Sequence, residues 1–315
     1  MSGQMTCKSG AIPRTPLRSR HSAAPLRVSV VPRLLSSRID AHHMMCCMLE
    51  TNPYRVAPGA KVSLGDITTK DDGGLDQKAA EAELEKTLSK LSDLQELMYA
   101  EGKHALLAVF QAMDAGGKDS TIRHVFGPVN AAGCYVVSFK KPTEHELARD
   151  FLWRVHQQVP PKGSIAVFNR SHYEDVLVAR VKDLVPKETW KQRYDHINAF
   201  ERLLVDEGTA VVKFFLHISK DYQKERLQRR LEKPDKWWKF NPADLEERKR
   251  WDEYQEAFED ALAKCSTKHA PWYVVPAERR WFRNLLVARV LTETLDSLEM
   301  KYPKPTFDPK TIVIK

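Results

Sequence analysis

An apolar run, Ala105 to Phe110, leads into Asp114-Ala115-Gly116-Gly117-Lys118 and then into a helix-like pattern running past Asp119, Ser120 and Arg123. Strand, glycine turn, lysine and helix in this order suit a bound anion. Glycines let backbone N–H groups converge, a helix N-terminus adds partial positive charge, and the lysine adds a full one. The chemistry this predicts is phosphoryl transfer. The pattern departs from G-x-x-x-x-G-K-[ST] at Ala112, where glycine would stand, and at Asp119, which Ser120 and Thr121 follow. The plainer reading of the same residues is a strand-to-helix turn capped by Asp119 or Ser120, with Lys118 in water.

A second group of polar residues, Asn169-Arg170-Ser171-His172-Tyr173-Glu174-Asp175, closes another apolar run. In nucleotide-handling enzymes this place supplies groups that orient a metal ion, usually an acid directly after the strand. Here Asn169 stands first and the acids, Glu174 and Asp175, come later. They also suit a helix N-terminus. Capping does not explain Arg170, whose desolvation only an anion or a carboxylate would offset.

A third group spans Asp221 to Arg250. Arg226, Arg229 and Arg230 share a helix face, and a basic, aromatic loop follows with Lys236, Trp237, Trp238 and Lys239. Mobile arginine-rich flaps of this kind close over phosphates and exclude water. The alternative is a solvated charged helix, with Glu225 and Glu232 as partners. Lys140, Lys141, Arg123, His124, Arg180 and Lys182 fall near strand ends or on the helices that follow. Together they suggest a track for a long polyanion along one edge of a sheet.

These groups need a scaffold. Apolar strand patterns at Ala105–Met113, Cys134–Phe139, Ser164–Phe168, Ala210–Ile218 and Trp272–Val275 alternate with amphipathic helices near Lys118–Ala131, Glu144–Gln158, Ser171–Val181, Lys187–Glu207, Asp221–Glu232, Pro242–Lys264 and Glu278–Leu298. A further helix, about Asp76 to Ala100, carries Leu84, Leu88, Leu91, Leu94 and Leu97 as a stripe for core packing or a subunit contact. Alternation with continuous apolar strands predicts an α/β protein whose parallel sheet is covered on both faces. Ligands in such sheets sit at the carboxyl ends of the strands, where the glycine turn falls.

The 315 residues carry a formal charge of +8, but residues 1–48 hold +6 of it. The near-neutral remainder argues against a nucleic-acid role based on bulk charge. Residues 1–48 are rich in Ser, Arg and Pro without periodicity, which predicts disorder. They match an organelle transit peptide, or else the start lies at Met44, Met45 or Met48. The second reading is favoured because the apparent domain, residues 49–315, begins directly after Met48. Cys7, Cys46 and Cys47 fall in this segment, leaving Cys134 and Cys265 in the body with no zinc-like spacing. That suits a reducing compartment, taken as the cytoplasm, and no structural metal. No run approaches the length of a membrane span.

The strings MDAGGKDSTIRHVFGPVN, SFKKPTEHELARDFLWRVHQQVP, FNRSHYEDVLVARV and DKWWKFNPADLEERKRWDEY, in this order, resemble the polyphosphate kinase type 2 family, over roughly Asn52 to the C-terminus. The resemblance implies a P-loop kinase-like three-layer α/β/α sandwich, with a five-stranded parallel sheet and a helical lid at about 221–255. It implies transfer of the terminal phosphoryl group of inorganic polyphosphate to nucleotides, reversibly, with Mg2+ (Mn2+ as a substitute), in a homo-oligomer, dimer or tetramer. Asn169, where many relatives carry Asp, and Glu174-Asp175 resemble the subgroup acting on both AMP and ADP, with GMP and GDP as further acceptors.

On this resemblance Gly116, Gly117, Asp119, Ser120 and Lys118 cradle the phosphate chain. Arg123, Lys140, Lys141 and Arg180 continue the track. Asp114 and Asp175 hold the metal, and Glu174 its waters or the acceptor. Arg170 and lid residues Arg226, Arg229, Arg230, Lys236, Trp238 and Lys239 meet the transferring charge. Two readings compete: an ATP-dependent nucleoside monophosphate kinase, for which the second basic track is superfluous, and a non-catalytic polyanion-binding protein, which Asp114, Glu174 and Asp175 would oppose. No nucleic-acid or membrane partner is expected.

Overall fold

The computed structural model describes residues 49–314; the expectations for residues 1–48 lie outside them. Five strands, β1 (Ala105–Ala112), β2 (Cys134–Ser138), β3 (Ile165–Asn169), β4 (Thr209–His217) and β5 (Trp272–Pro276), form one parallel sheet in the order β2-β3-β1-β4-β5. Every residue of β1 and β5 is buried, so both faces of the sheet are covered at these strands, while β2 at the edge has no buried residue. Helices α1 (Gln77–Glu101), α2 (Lys118–Phe126) and α10 (Arg280–Asp296) pack together, and α10 lies on β4 and β5. A second group, α5 (Val178–Val181), α6 (Lys187–Asp206) and α9 (Trp251–Cys265), packs together, with α6 on β4.

The leucine stripe of α1 is core: Leu84, Leu91 and Met98 are buried and the helix lies along α10. The Asp76 carboxylate caps its start on the Ala79 N–H, and Gly102 in the left-handed region ends it. Four expected helices are shorter: Lys118–Ala131 ends at Phe126, Pro242–Lys264 divides at Arg250 into Ala243–Lys249 and Trp251–Cys265, and two more fall into short pieces. Glu144–Gln158 is broken into α3 (Glu144–Leu147) and α4 (Trp153–His156), because the Asp150 carboxylate takes the Leu152 N–H and closes a turn between them. Ser171–Val181 becomes a 3-10 turn, His172–Asp175, and the short α5; Ser171 Oγ, accepting from the Tyr173 N–H, opens the turn. Among the described residues no helix is long and apolar enough to cross a membrane.

The sheet has two unlike edges. Along β5, Arg55 makes an antiparallel bridge with Tyr273, and the Val56 N–H bonds the Trp272 carbonyl. Along β2, Tyr135 and Val136 are exposed. At the centre, Lys213 of β4 is fully buried, paired with the equally buried Glu201 of α6 and donating to the Cys265 carbonyl at 2.7 Å. Glu201 also accepts from Tyr173 at 2.9 Å and lies 3.2 Å from His172 Nε2. Lys213→Met should cost about 3–5 kcal/mol in urea denaturation, since it leaves a carboxylate buried without its cation. The double variant Lys213→Met with Glu201→Gln should recover most of that loss; a further loss would refute the pairing as the cause.

Candidate active site

The turn after β1 forms as its residues predict. Ala115 (φ 62°) and Gly117 (φ 97°) both occupy the left-handed region, and α2 opens at Lys118. Ser120 Oγ and Thr121 Oγ1 donate to the Gly117 carbonyl at 2.9 and 3.1 Å, and the Thr121 N–H donates to it as well, so this carbonyl is engaged by the first turn of α2. Among the described residues the N–H groups of Gly117, Lys118, Asp119 and Ser120 have no acceptor, as the first turn of a helix leaves them. A Cβ on Gly116 would stand 2.8 Å from the Met113 carbonyl oxygen and 2.7 Å from Ala112 Cβ. Gly116→Ala should therefore shift the loop and lower kcat/KM about 100-fold while the protein stays folded. Wild-type kcat/KM in this variant would mean that the loop does not need its present path.

A cleft of about 770 Å³ opens over this turn. Its floor is the loop, its near wall Asn169 and Arg170, and its roof the arm made of α7 (Lys220–Glu232), a 3-10 turn (Pro234–Lys239) and α8 (Ala243–Lys249). Lys118 is buried and donates to the Ala112 carbonyl at 3.0 Å. Burial holds its pKa below the usual lysine value, against the pull of Asp114. Asp114, at the strand end, faces Arg170, whose guanidinium donates to its carboxylate at 3.2 Å. Burial pulls the Arg170 pKa down, but Glu174 and Asp114 outweigh it and the pKa lies above its usual value. Arg170 has φ 61°, a strained value for a non-glycine residue, and this turn sends its side chain back toward β1. Burial raises the pKa of Glu174, with Arg170 and Lys118 opposing. Asn169 donates to Asp119 at 2.7 Å.

The structure brings most of the expected residues to this cleft: Asp114, Gly116, Gly117, Lys118, Asp119 and Ser120; Arg123, Lys140 and Arg170; and from the arm Arg226, Arg229, Arg230, Lys236 and Lys239. Others lie elsewhere. Arg180 is bound to Asp260 at 2.6 Å and stacks on Trp190, so it is no part of a track. Lys182 pairs with Glu247. Lys141 is exposed outside the cleft wall. The Asp175 carboxylate takes Arg193 at 3.0 Å, and burial raises its pKa to about 6 against Arg193 and Arg154. Its carboxylate is committed to Arg193 and is not in the cleft wall, which corrects its expected place beside Asp114. Trp238 is 79% exposed and its ring N–H bonds the Asp235 carbonyl, so it does not line the cleft. The arm also ends sooner than expected, since Trp251 and Tyr254 of α9 are already buried in the body.

Two arginines escaped the reading of the residues. Arg280 lines the cleft, and Arg283 is buried beside Gly117, donating to Ser120 Oγ at 3.2 Å. Burial, with Arg280 and Arg226 nearby, lowers the Arg283 pKa to about 10. Burial also lowers that of Arg226, with Arg280, Arg229 and Arg230 adding to it. Among the described residues no carboxylate pairs with Arg226, Arg280 or Arg283. The signal that finds them is their position directly after β5, at the carboxyl end of a strand.

A parallel sheet, open N–H groups and a buried lysine at the end of its central strand, and unpaired arginines around them make up an α/β phosphotransferase. The chain belongs to the polyphosphate kinase 2 family, whose model matches residues 74–303. It is 57% identical over 266 residues to the AMP/ADP-polyphosphate phosphotransferase of Meiothermus ruber, covering 83% of this chain and 99% of that one. It is 46% identical to the ADP-polyphosphate phosphotransferase of Rhodopseudomonas palustris, covering 82% and 94%. The crystal structure of polyphosphate kinase 2 from Arthrobacter aurescens superposes with a TM-score of 0.79 at 40% identity, covering 82% of this chain and 93% of that one.

Proposed function

We propose that the protein transfers the terminal phosphoryl group of inorganic polyphosphate to AMP and to ADP, forming ATP in two steps, reversibly. The observation that carries this is the excess of unpaired cations in the cleft, more than a short donor needs: among the described residues Lys118, Arg226, Arg229 and Arg280 line it without a carboxylate partner, and Arg283, equally unpaired, lies beside Gly117. The names of the Meiothermus and Rhodopseudomonas relatives support AMP and ADP as acceptors. The polyphosphate end lies on the loop N–H groups and Lys118, and its length runs under the arm past Arg226 and Arg280 in place of the track through Arg180. The acceptor phosphate oxygen is already ionised, so alignment and charge neutralisation carry the rate, with no strong base.

The donor set fits a hard divalent ion. Asp114 and Asp119 offer carboxylate oxygens and Ser120 a hydroxyl on one wall. Among the described residues no three His, Cys, Asp or Glu side chains converge to hold a metal alone, so phosphate oxygens and water would complete the shell, as Mg2+ prefers. We assign Mg2+, replaceable by Mn2+, to Asp114; when bound it neutralises charge on the phosphates. Arg170 holds the Asp114 carboxylate in place, and the arm acts as a lid that excludes water. We further read the protein as a cytoplasmic homo-oligomer, dimer or tetramer, a reading supported by its unpaired thiols, Cys134 and Cys265, and by the exposed edge of β2; light scattering tests the assembly.

The test of function is ATP formation from long-chain polyphosphate, Mg2+ and AMP alone, with ADP alone in parallel and an adenylate kinase inhibitor present. ATP from both supports the full reading. ATP from ADP only removes AMP as an acceptor. Product from neither, with ATP-dependent phosphorylation of AMP, overturns it in favour of a nucleoside monophosphate kinase.

A further inference from the structure

Gln223 of α7 is 1% exposed, yet it is polar and lies outside the cleft lining. Its side-chain nitrogen donates to the Asp114 carbonyl at 2.9 Å. Its oxygen accepts from Arg248 of α8 at 3.0 Å, and Arg248 also donates to the Lys220 carbonyl at 2.6 Å. A guanidinium only donates and a carbonyl only accepts, so a single orientation of the amide satisfies both neighbours. Arg248 thereby fixes which end of Gln223 meets the phosphate loop.

The peptide it grips is the sensitive one. The Asp114 carbonyl belongs to the unit that leads into Ala115, a non-glycine residue held at φ 62°. Such residues persist only where their surroundings over-determine them. Rotation of this peptide would re-aim both the N–H groups of the loop and the Asp114 carboxylate, which Arg170 holds from the other side.

We propose that Gln223 is a positioning residue coupling the arm to the phosphate loop: with α8 docked, Arg248 orients the amide, and the amide sets the Asp114–Ala115 peptide in its working conformation. When α8 leaves, the amide loses its anchor and the loop relaxes. The loop is thus complete only under a closed arm, which limits wasteful transfer to water. The proposal extends the phosphotransferase reading of the site and leaves the donor open.

The experiment compares wild type, Gln223→Met, Arg248→Met and the double variant, in polyphosphate-dependent phosphorylation and in tripolyphosphate binding by calorimetry. Methionine keeps the length of the glutamine and removes both hydrogen bonds. Gln223→Met should lower kcat about 10–100-fold, with KM for the nucleotide within about threefold and the thermal midpoint close to wild type. Arg248→Met should lower kcat in the same sense, and the double variant should be no slower than Gln223→Met, because the two residues act in series. A kcat within about threefold of wild type for Gln223→Met, or losses that multiply in the double variant, overturns the proposal. Should Gln223→Met fail to fold, Arg248→Met at its partly exposed site carries the test, and unchanged kcat there overturns it. If wild type binds tripolyphosphate but turns over none, the donor assignment fails, and the coupling is then read from the non-additivity of the binding constants.

Discussion

Lys118→Ala should lower kcat by about 10²–10³-fold, the loss found when one fixed donor to a developing oxyanion is removed. Here the expectation rests on more than charge. Lys118 is buried and its ammonium is held on the Ala112 carbonyl at 3.0 Å, already desolvated before substrate arrives. Burial depresses its pKa while Asp114, Glu174 and Asp119 raise it, so an incoming phosphate strengthens the charged form it needs. Alanine removes the cation and leaves the Ala112 carbonyl without the donor it has here. The fold should survive, because β1 and α2 are held by strand pairing and by Ile122 and Val125 rather than by the ammonium. Steady-state kinetics with circular dichroism checks both halves. Turnover within tenfold of wild type would remove Lys118 from the transferring step.

Asp114→Asn should be nearly as severe, about 10²-fold or more in kcat, with a higher Mg2+ concentration needed for half-maximal rate. The two losses have different origins. Asparagine keeps the size and one acceptor oxygen, but it removes the negative charge that faces Arg170 at 3.2 Å. Arg170 would then face the cleft with Glu174 as its principal counter-charge, and its pKa should fall. A variant with wild-type kcat and an unchanged Mg2+ requirement would move the metal away from β1. Glu174→Gln separates the roles, since Glu174 is partly buried behind Arg170 and Lys118 and does not line the cleft.

Four of the strands, β1, β3, β4 and β5, were legible because they are buried almost throughout and read as apolar runs, whereas the edge strand β2, with no buried residue, was legible from its apolar and β-branched residues alone. Ala105–Met113 became Ala105–Ala112, and Trp272–Val275 became Trp272–Pro276. The order β2-β3-β1-β4-β5 was not legible, since hydrophobic period carries no record of which strands pair. The helix near Glu144 failed where the Asp150 carboxylate, a local competitor for backbone N–H groups, overrode an amphipathic pattern. Within the site, the glycine loop, Lys118 and Arg170 were readable because their chemistry is local in the chain. Arg180 and Asp175 were misplaced because each is claimed by a partner on a distant helix, Asp260 and Arg193, which spacing does not reveal. Gln223 had no signal at all: one glutamine on a charged helix is distinguished only by what it touches.

The unpaired arginines Arg226, Arg280 and Arg283 have a consequence for the lifetime of the molecule. A folded chain that gathers like charges without counter-ions is less stable than the same fold with an anion bound, and the difference grows with free anion as RT ln(1 + [L]/Kd). The substrate therefore acts as a structural component supplied from solution. When polyanion is abundant the protein is both busy and hard to unfold; when it runs out, the idle form is also the fragile one, and its population falls to whatever unfolds and degrades it first.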